Sequence, residues 1–182
     1  NWCEAVTPYG AGDLGTPGAA NDCAAPPAAE LVIHEVMQNP SAVSDSDGEW
    51  FELYNPTASD IDIDGWTIAD AGSDSFEVVG SVIVPAGGYA VLGVNADAAT
   101  NGGVTVDYEY SGMFLANGDD EIILFDGLGT EIDRIEYDGG PDWPDPNGAS
   151  MALRDPALDN NDGTNWCEAV TPYGAGDLGT PG

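Results

Sequence analysis

The first eighteen residues of the chain, NWCEAVTPYGAGDLGTPG, return unchanged as residues 165–182. The segment contains Trp, Cys, Tyr, Asp, Glu and two Pro, so low complexity does not account for the identity. Identity at a fixed offset is the mark of an internal repeat, here with a period of 164 residues. On this reading residues 1–18 are the tail of a preceding copy. Residues 19–29 are a Gly/Pro/Ala-rich inter-domain linker, and residues 30–182 are one domain with its own closing tail. A deliberately duplicated terminal segment is the alternative. A period of this size is enough for one ordinary domain with a real core.

Charge narrows the set of partners. Asp and Glu number 33 against two basic residues, Arg134 and Arg154, and the formal net charge is −31. A nucleic-acid binder needs a basic footprint, which is missing. No apolar run is long enough for a membrane span, so membrane insertion is not expected. Like charge at this density opposes compaction. Ca²⁺, a hard cation that takes carboxylate oxygens, is the expected cofactor. A solvated acidic surface, with no bound ion, is the plainer alternative.

The cysteines follow the repeat. Cys167 is the next copy of Cys3, so each period holds two, equivalent to Cys3 and Cys23. A Cys3–Cys23 bridge would close a short loop in the linker and leave Cys167 for the next copy. A Cys23–Cys167 bridge would instead tie the domain's start to its last strand. A loop of the first kind contributes about 3 kcal/mol in the chain-entropy model. Either bridge implies an oxidising compartment, hence an extracellular or cell-surface location.

Short apolar runs alternate with turn signals from residue 30 onward. Strands are expected over 30–37, 49–55, 61–70, 75–85, 89–95, 104–110, 121–126, 130–138, 150–155 and 165–170, rich in Val, Ile, Tyr, Phe and Trp. FDGLGTE signals a hairpin. No stretch keeps helical spacing. Evenly spaced strands predict an all-β, immunoglobulin-like β-sandwich.

The ordered motifs LVIHEVMQNP, GEWFELYNPT, IDGWTIAD, VPAGGYAVL, NGDDEIILFDGLGTEIDRIEY and ASMALRDP resemble a lamin tail domain of the bacterial and archaeal type. DNNDGTNWCEAVTPYGAGDLGTPG is similar to the closing strand and tail of secreted prokaryotic members. The resemblance spans residues 30–182 and implies the same sandwich. It leaves function open, because such domains occur in surface proteins, beside secreted hydrolases and in nuclear lamins.

Carboxylate clusters supply the candidate chemistry. SDSDGEWFE contributes Asp45, Asp47, Glu49 and Glu52, and Glu35 lies on the preceding strand. Asp-x-Asp-Gly supplies oxygens and a tight turn for Ca²⁺, although the full twelve-residue EF-hand loop is missing. An Asp-Gly hairpin turn is the plainer explanation. DPALDNNDG adds Asp155, Asp159 and Asp162, for which Asx turns are the plainer explanation. Trp143, in a loop between Asp142 and Pro144, is a candidate surface anchor for a glycan or protein, or else it packs beneath its own loop. No cleft-facing acid pair, nucleophilic triad or zinc set is apparent, so no enzyme activity is expected. The expected role is a structural bead in an extracellular stalk, fibre or filament, with identical neighbouring repeats as partners. An adhesion module or an accessory domain of a secreted hydrolase is the alternative.

Overall fold

The computed structural model describes residues 8–11, 13–17 and 31–182. In chain order the strands are β1 (Pro8–Tyr9), β2 (Asp13–Leu14), β3 (Val32–Met37), β4 (Trp50–Tyr54), β5 (Ile61–Asp62), β6 (Thr67–Ala69) and β7 (Ser75–Glu77). They continue with β8 (Ile83–Val84), β9 (Tyr89–Gly93), β10 (Tyr108–Glu109), β11 (Asp119–Phe125), β12 (Glu131–Asp138), β13 (Met151–Leu153) and β14 (Trp166–Glu168). One helical turn, α1 (Asp45–Gly48), precedes β4.

Two sheets face each other. The larger has the order β10-β9-β4-β3-β13-β14, and the smaller β12-β11-β6-β7. β5 and β8 pair separately. Ile33, Val36, Phe51, Leu53, Leu92, Met151 and Trp166 from the larger sheet meet Ile68, Ile122, Leu124 and Ile135 from the smaller in one buried core. Inward and outward residues alternate along β4, since side chains one apart on a strand point to opposite faces. Phe51 and Leu53 therefore enter this core, whereas Trp50 joins a second one with Met37, Val91 and Val104. The β-sandwich expected from the strand pattern is the fold observed.

Local chemistry explains most of the joins. β11 and β12 form the expected hairpin, with Asp126 N donating to Thr130 O and Gly129 N to Asp126 O. Gly129 has φ +78°, a left-handed value that glycine adopts without a Cβ penalty. The expected 61–70 strand divides at Asp64-Gly65, where Gly65 has φ +75°; its two halves pair with different partners. SDSDG forms α1 where a hairpin turn is the plainer expectation, and Ser44 Oγ donates to Asp47 Oδ2 at 2.7 Å.

At the edges, β10 has two residues and β14 three. The long edge strand β12 carries Arg134 between Glu131 and Glu136, its guanidinium bound to both carboxylates. No helix among the described residues is long and apolar enough to cross a membrane.

Trp166 fixes the closing strand. It is 2% exposed, packs on Trp143 at a ring separation of 5.4 Å, and donates its indole N–H to Asn160 O at 2.8 Å. Trp166→Ala is expected to cost about 3–5 kcal/mol, because it opens a cavity and orphans that acceptor. Urea denaturation of the variant measures this.

Candidate functional site

The outward face of the larger sheet carries a group of carboxylates. The β3/β4 register shifts between Ile33 and Glu35, so His34 is an unpaired extra residue and Glu35 lies directly opposite Glu52. Glu35 and Glu52 are both buried, at 0% and 2% exposure. Like charges facing each other across strands are destabilising, and burying them raises the cost unless donors surround them. His34 Nδ1 lies 3.2 Å from Glu52 Oε1. Ser150 Oγ donates to Glu35 Oε1.

The remaining donors come from the closing tail, residues 169–182. Thr180 donates to Glu35 twice, from its N–H at 2.8 Å and its Oγ1 at 2.6 Å. Gly182 N donates to Glu52 Oε2 at 2.7 Å. The tail runs back over the outer face as an extra layer. Ala169 N donates to Ser150 O, Ser150 N to Leu178 O, and Leu178 N to Gly148 O.

Two further anchors fix its position. Tyr173 packs edge-on against Trp50 at 6.1 Å and accepts the Trp50 indole N–H at 3.2 Å, completing the second core. Burial pushes the Tyr173 hydroxyl up to about 12. Asp177, 3% exposed, accepts from Ser41 N, Ser41 Oγ and Ala42 N at 2.8–3.2 Å. Between these anchors the turn passes close to another loop. Ala175 N donates to Gly102 O, and a Cβ on Gly103 would stand 2.7 Å from Gly174 Cα.

The same tail sequence makes the same turn at the other end of the chain. β1 and β2 pair Pro8 with Leu14, and the tail pairs Pro172 with Leu178, the equivalent residues one period on. Gly10 and Gly174, also equivalent, are both left-handed at φ +56° and +44°.

The structure distributes the other candidate residues differently from their order in sequence. Strand alternation separates Glu49 from Glu52. Glu52 faces outward, whereas Glu49 is buried at 4% exposure and accepts from Leu115 N at 3.1 Å. Asp45 lies on α1 and accepts from Asn117 Nδ2, while Asp47 is bound by Ser44. Glu35, Asp45, Asp47, Glu49 and Glu52 thus do not converge on one point. Among the described residues, the set that does bring ligand atoms together is His34, Glu35 and Glu52. Sequence reasoning passed over His34 as a partner, because the register shift that turns it toward Glu52 leaves no local signal.

Asp155, Asp159 and Asp162 each close an Asx turn, accepting from Ala157 N, Asn161 N and Thr164 N at 3.0 Å. The Thr164 hydroxyl and N–H hold Asp162 below the usual carboxylate range. Trp143 is 7% exposed in the main core, so it packs beneath its loop and is not a surface anchor. Cys3 and Cys23 lie outside the described residues. Cys167 is half-buried on β14, and its thiol lies 3.6 Å from Ala152 O.

Burial pushes Glu49 up to about 7. The Leu115 N–H opposes that rise, and the Asp45 and Asp120 carboxylates add to it. Burial likewise pushes Asp133 up to about 6, against hydrogen bonds from Ile33 N and Asn160 Nδ2.

A model of the family described as Lamin Tail Domain matches residues 24–139. The match takes in β3 through β12 and stops before β13, β14 and the tail, a shorter span than the resemblance read from sequence. A search of curated proteins finds no match.

Glu49 predicts a pH dependence. Its folded pKa is raised above the ordinary 4.5, so its favourable contribution is complete below that value and is lost as pH rises through about 7. Stability is expected to fall between pH 5 and 8 from this group, and Glu49→Gln is expected to flatten the slope. Urea titrations of both proteins across that window test it.

Proposed function

On the premise that the chain belongs to the lamin tail domain family, we propose that it is a non-catalytic structural bead of an extracellular tandem array. One observation carries this reading. The eighteen residues found at both ends are, in their second occurrence, an integral layer of the bead. Their first occurrence then belongs to a neighbouring unit of the same design. Such an array is a quasi-one-dimensional solid, stabilised by each unit and by its junctions. Its setting is the surface of a prokaryotic cell, as a stalk, fibre or filament, with identical repeats as partners.

Two restraints complete the proposal. A Cys3–Cys23 bridge stiffens the linker, with Cys167 serving the next copy. Ca²⁺ offsets the repulsion of a chain with net charge −31. Its ligands are drawn from the exposed carboxylates Asp47, Asp155, Asp159 and Asp162 and from the half-buried Asp45. Glu35 and Glu52 already accept from the tail, so an ion there would compete with Thr180 and Gly182. Trp143 and Tyr110, two of the aromatic residues on which the adhesion alternative leaned, are buried, and Tyr108 is half-buried.

Reading the coding sequence on both sides of residues 1–182 tests the array. Another copy of residues 19–164 is expected, and a dissimilar catalytic neighbour would refute it. Thermal melting tests the cation. Ca²⁺ is expected to raise the melting temperature and a chelator to lower it. An unchanged midpoint would remove calcium from the proposal.

A further inference from the structure

Residues 169–182 behave as a ligand that happens to be tethered. After β14 the segment contributes no strand to either sheet. It instead lies over the outer face and satisfies groups that belong to the rest of the bead. Glu35 and Glu52 receive Thr180 and Gly182, Trp50 receives Tyr173, and the Ser41 and Ala42 amides receive Asp177. Each of these tail residues except the last glycine pairs its own chemistry with one fixed feature of the face: a hydroxyl with a buried carboxylate, a phenol with an indole, a carboxylate with paired N–H groups. Gly174 adds a shape requirement, since a Cβ there would collide with Gly102 O.

Every element of that ligand exists twice. Tyr9, Asp13, Thr16 and Gly10 stand one period before Tyr173, Asp177, Thr180 and Gly174. The first occurrence already holds the turn the groove selects, with Pro8 paired to Leu14 and Gly10 left-handed. In that occurrence Asp13 is exposed, whereas its equivalent Asp177 is buried against Ser41 and Ala42.

We propose that the outer-face groove recognises the part of this sequence that follows β14 wherever it is presented, and that the equivalent part of residues 1–18 of a second copy docks there when the resident tail is released. The partner is a second copy of this chain and the mode is segment exchange. In the intact bead the tethered tail wins, because its effective concentration exceeds that of any segment in solution. Weakening the tail while sparing its twin shifts that competition. The bead then grows head to tail, each unit supplying its first segment to the next. This deepens the tandem-array reading but is separable from it: flanking sequence without further copies would end the array and leave the groove's selectivity intact.

The test uses the full chain with Tyr173→Ala, Asp177→Ala and Thr180→Ala together, followed by sedimentation velocity over a range of protein concentrations. A mass that rises with concentration above that of the monomer is expected, and loss of that rise when Tyr9→Ala, Asp13→Ala and Thr16→Ala are added. Wild-type protein is expected to stay monomeric over the same range. Should the triple variant fail to fold by circular dichroism, Asp177→Asn alone keeps the shape of the segment and is read the same way. A folded variant that stays monomeric at every concentration overturns the proposal, whether its first segment folds back on its own bead or remains free. Association that survives the second set of substitutions overturns it too, since the contact then lies elsewhere.

Discussion

Two glutamates facing each other across neighbouring strands, both buried, are the constraint around which the outer half of this protein is arranged. Glu35 opposite Glu52 is an arrangement that sheets avoid. It is retained here because its oxygens meet donors: His34, Ser150, Thr180 and Gly182. These four groups come from three separate features. The register shift brings in His34, β13 is preceded by Ser150, and the tail supplies the last two. Removing the tail would strip Thr180 and Gly182 from Glu35 and Glu52 and open that face to water, so its cost is the loss of those charge-assisted hydrogen bonds. The chain's last residues are therefore part of the fold's electrostatics as well as its packing.

The tail also gives the larger sheet a second hydrophobic layer. An antiparallel sheet ordinarily turns one face to water. Here Trp50, Met37, Val91 and Val104 occupy that face and are sealed by Tyr173. Both layers draw on residues beyond the family match, Met151 and Trp166 in the inner core and Tyr173 over the outer face.

The strands were readable in the sequence because each pairs a short apolar run with turn residues whose chemistry is local. The Asp126–Thr130 hairpin is a case in point, whereas 61–70 reads as one strand and the break at Asp64-Gly65 appears only in the fold. The carboxylates were harder to place. Asp155, Asp159 and Asp162 follow the local rule of bonding an N–H two residues ahead, which sequence does suggest. Glu49 and Glu52 look like one cluster on paper, yet alternation sends them to opposite faces, and only register reveals that Glu35 accompanies Glu52. Trp143 looked exposed because its neighbours are Asp and Pro. Its burial depends on Trp166, which is distant in sequence. The repeat announced a tail, but its role as a cover depends on contacts with Ser41, Trp50 and Glu35 that no local pattern encodes.

The strands at the borders of the two sheets carry one more implication. β10 and β14 are too short to template a neighbour, and β12 presents Glu131, Arg134 and Glu136 along its length. A copy approaching from the flank meets stubs and fixed charge where an amyloid-like ladder would need open backbone. Strand-to-strand pairing between copies is thereby disfavoured at these three edges.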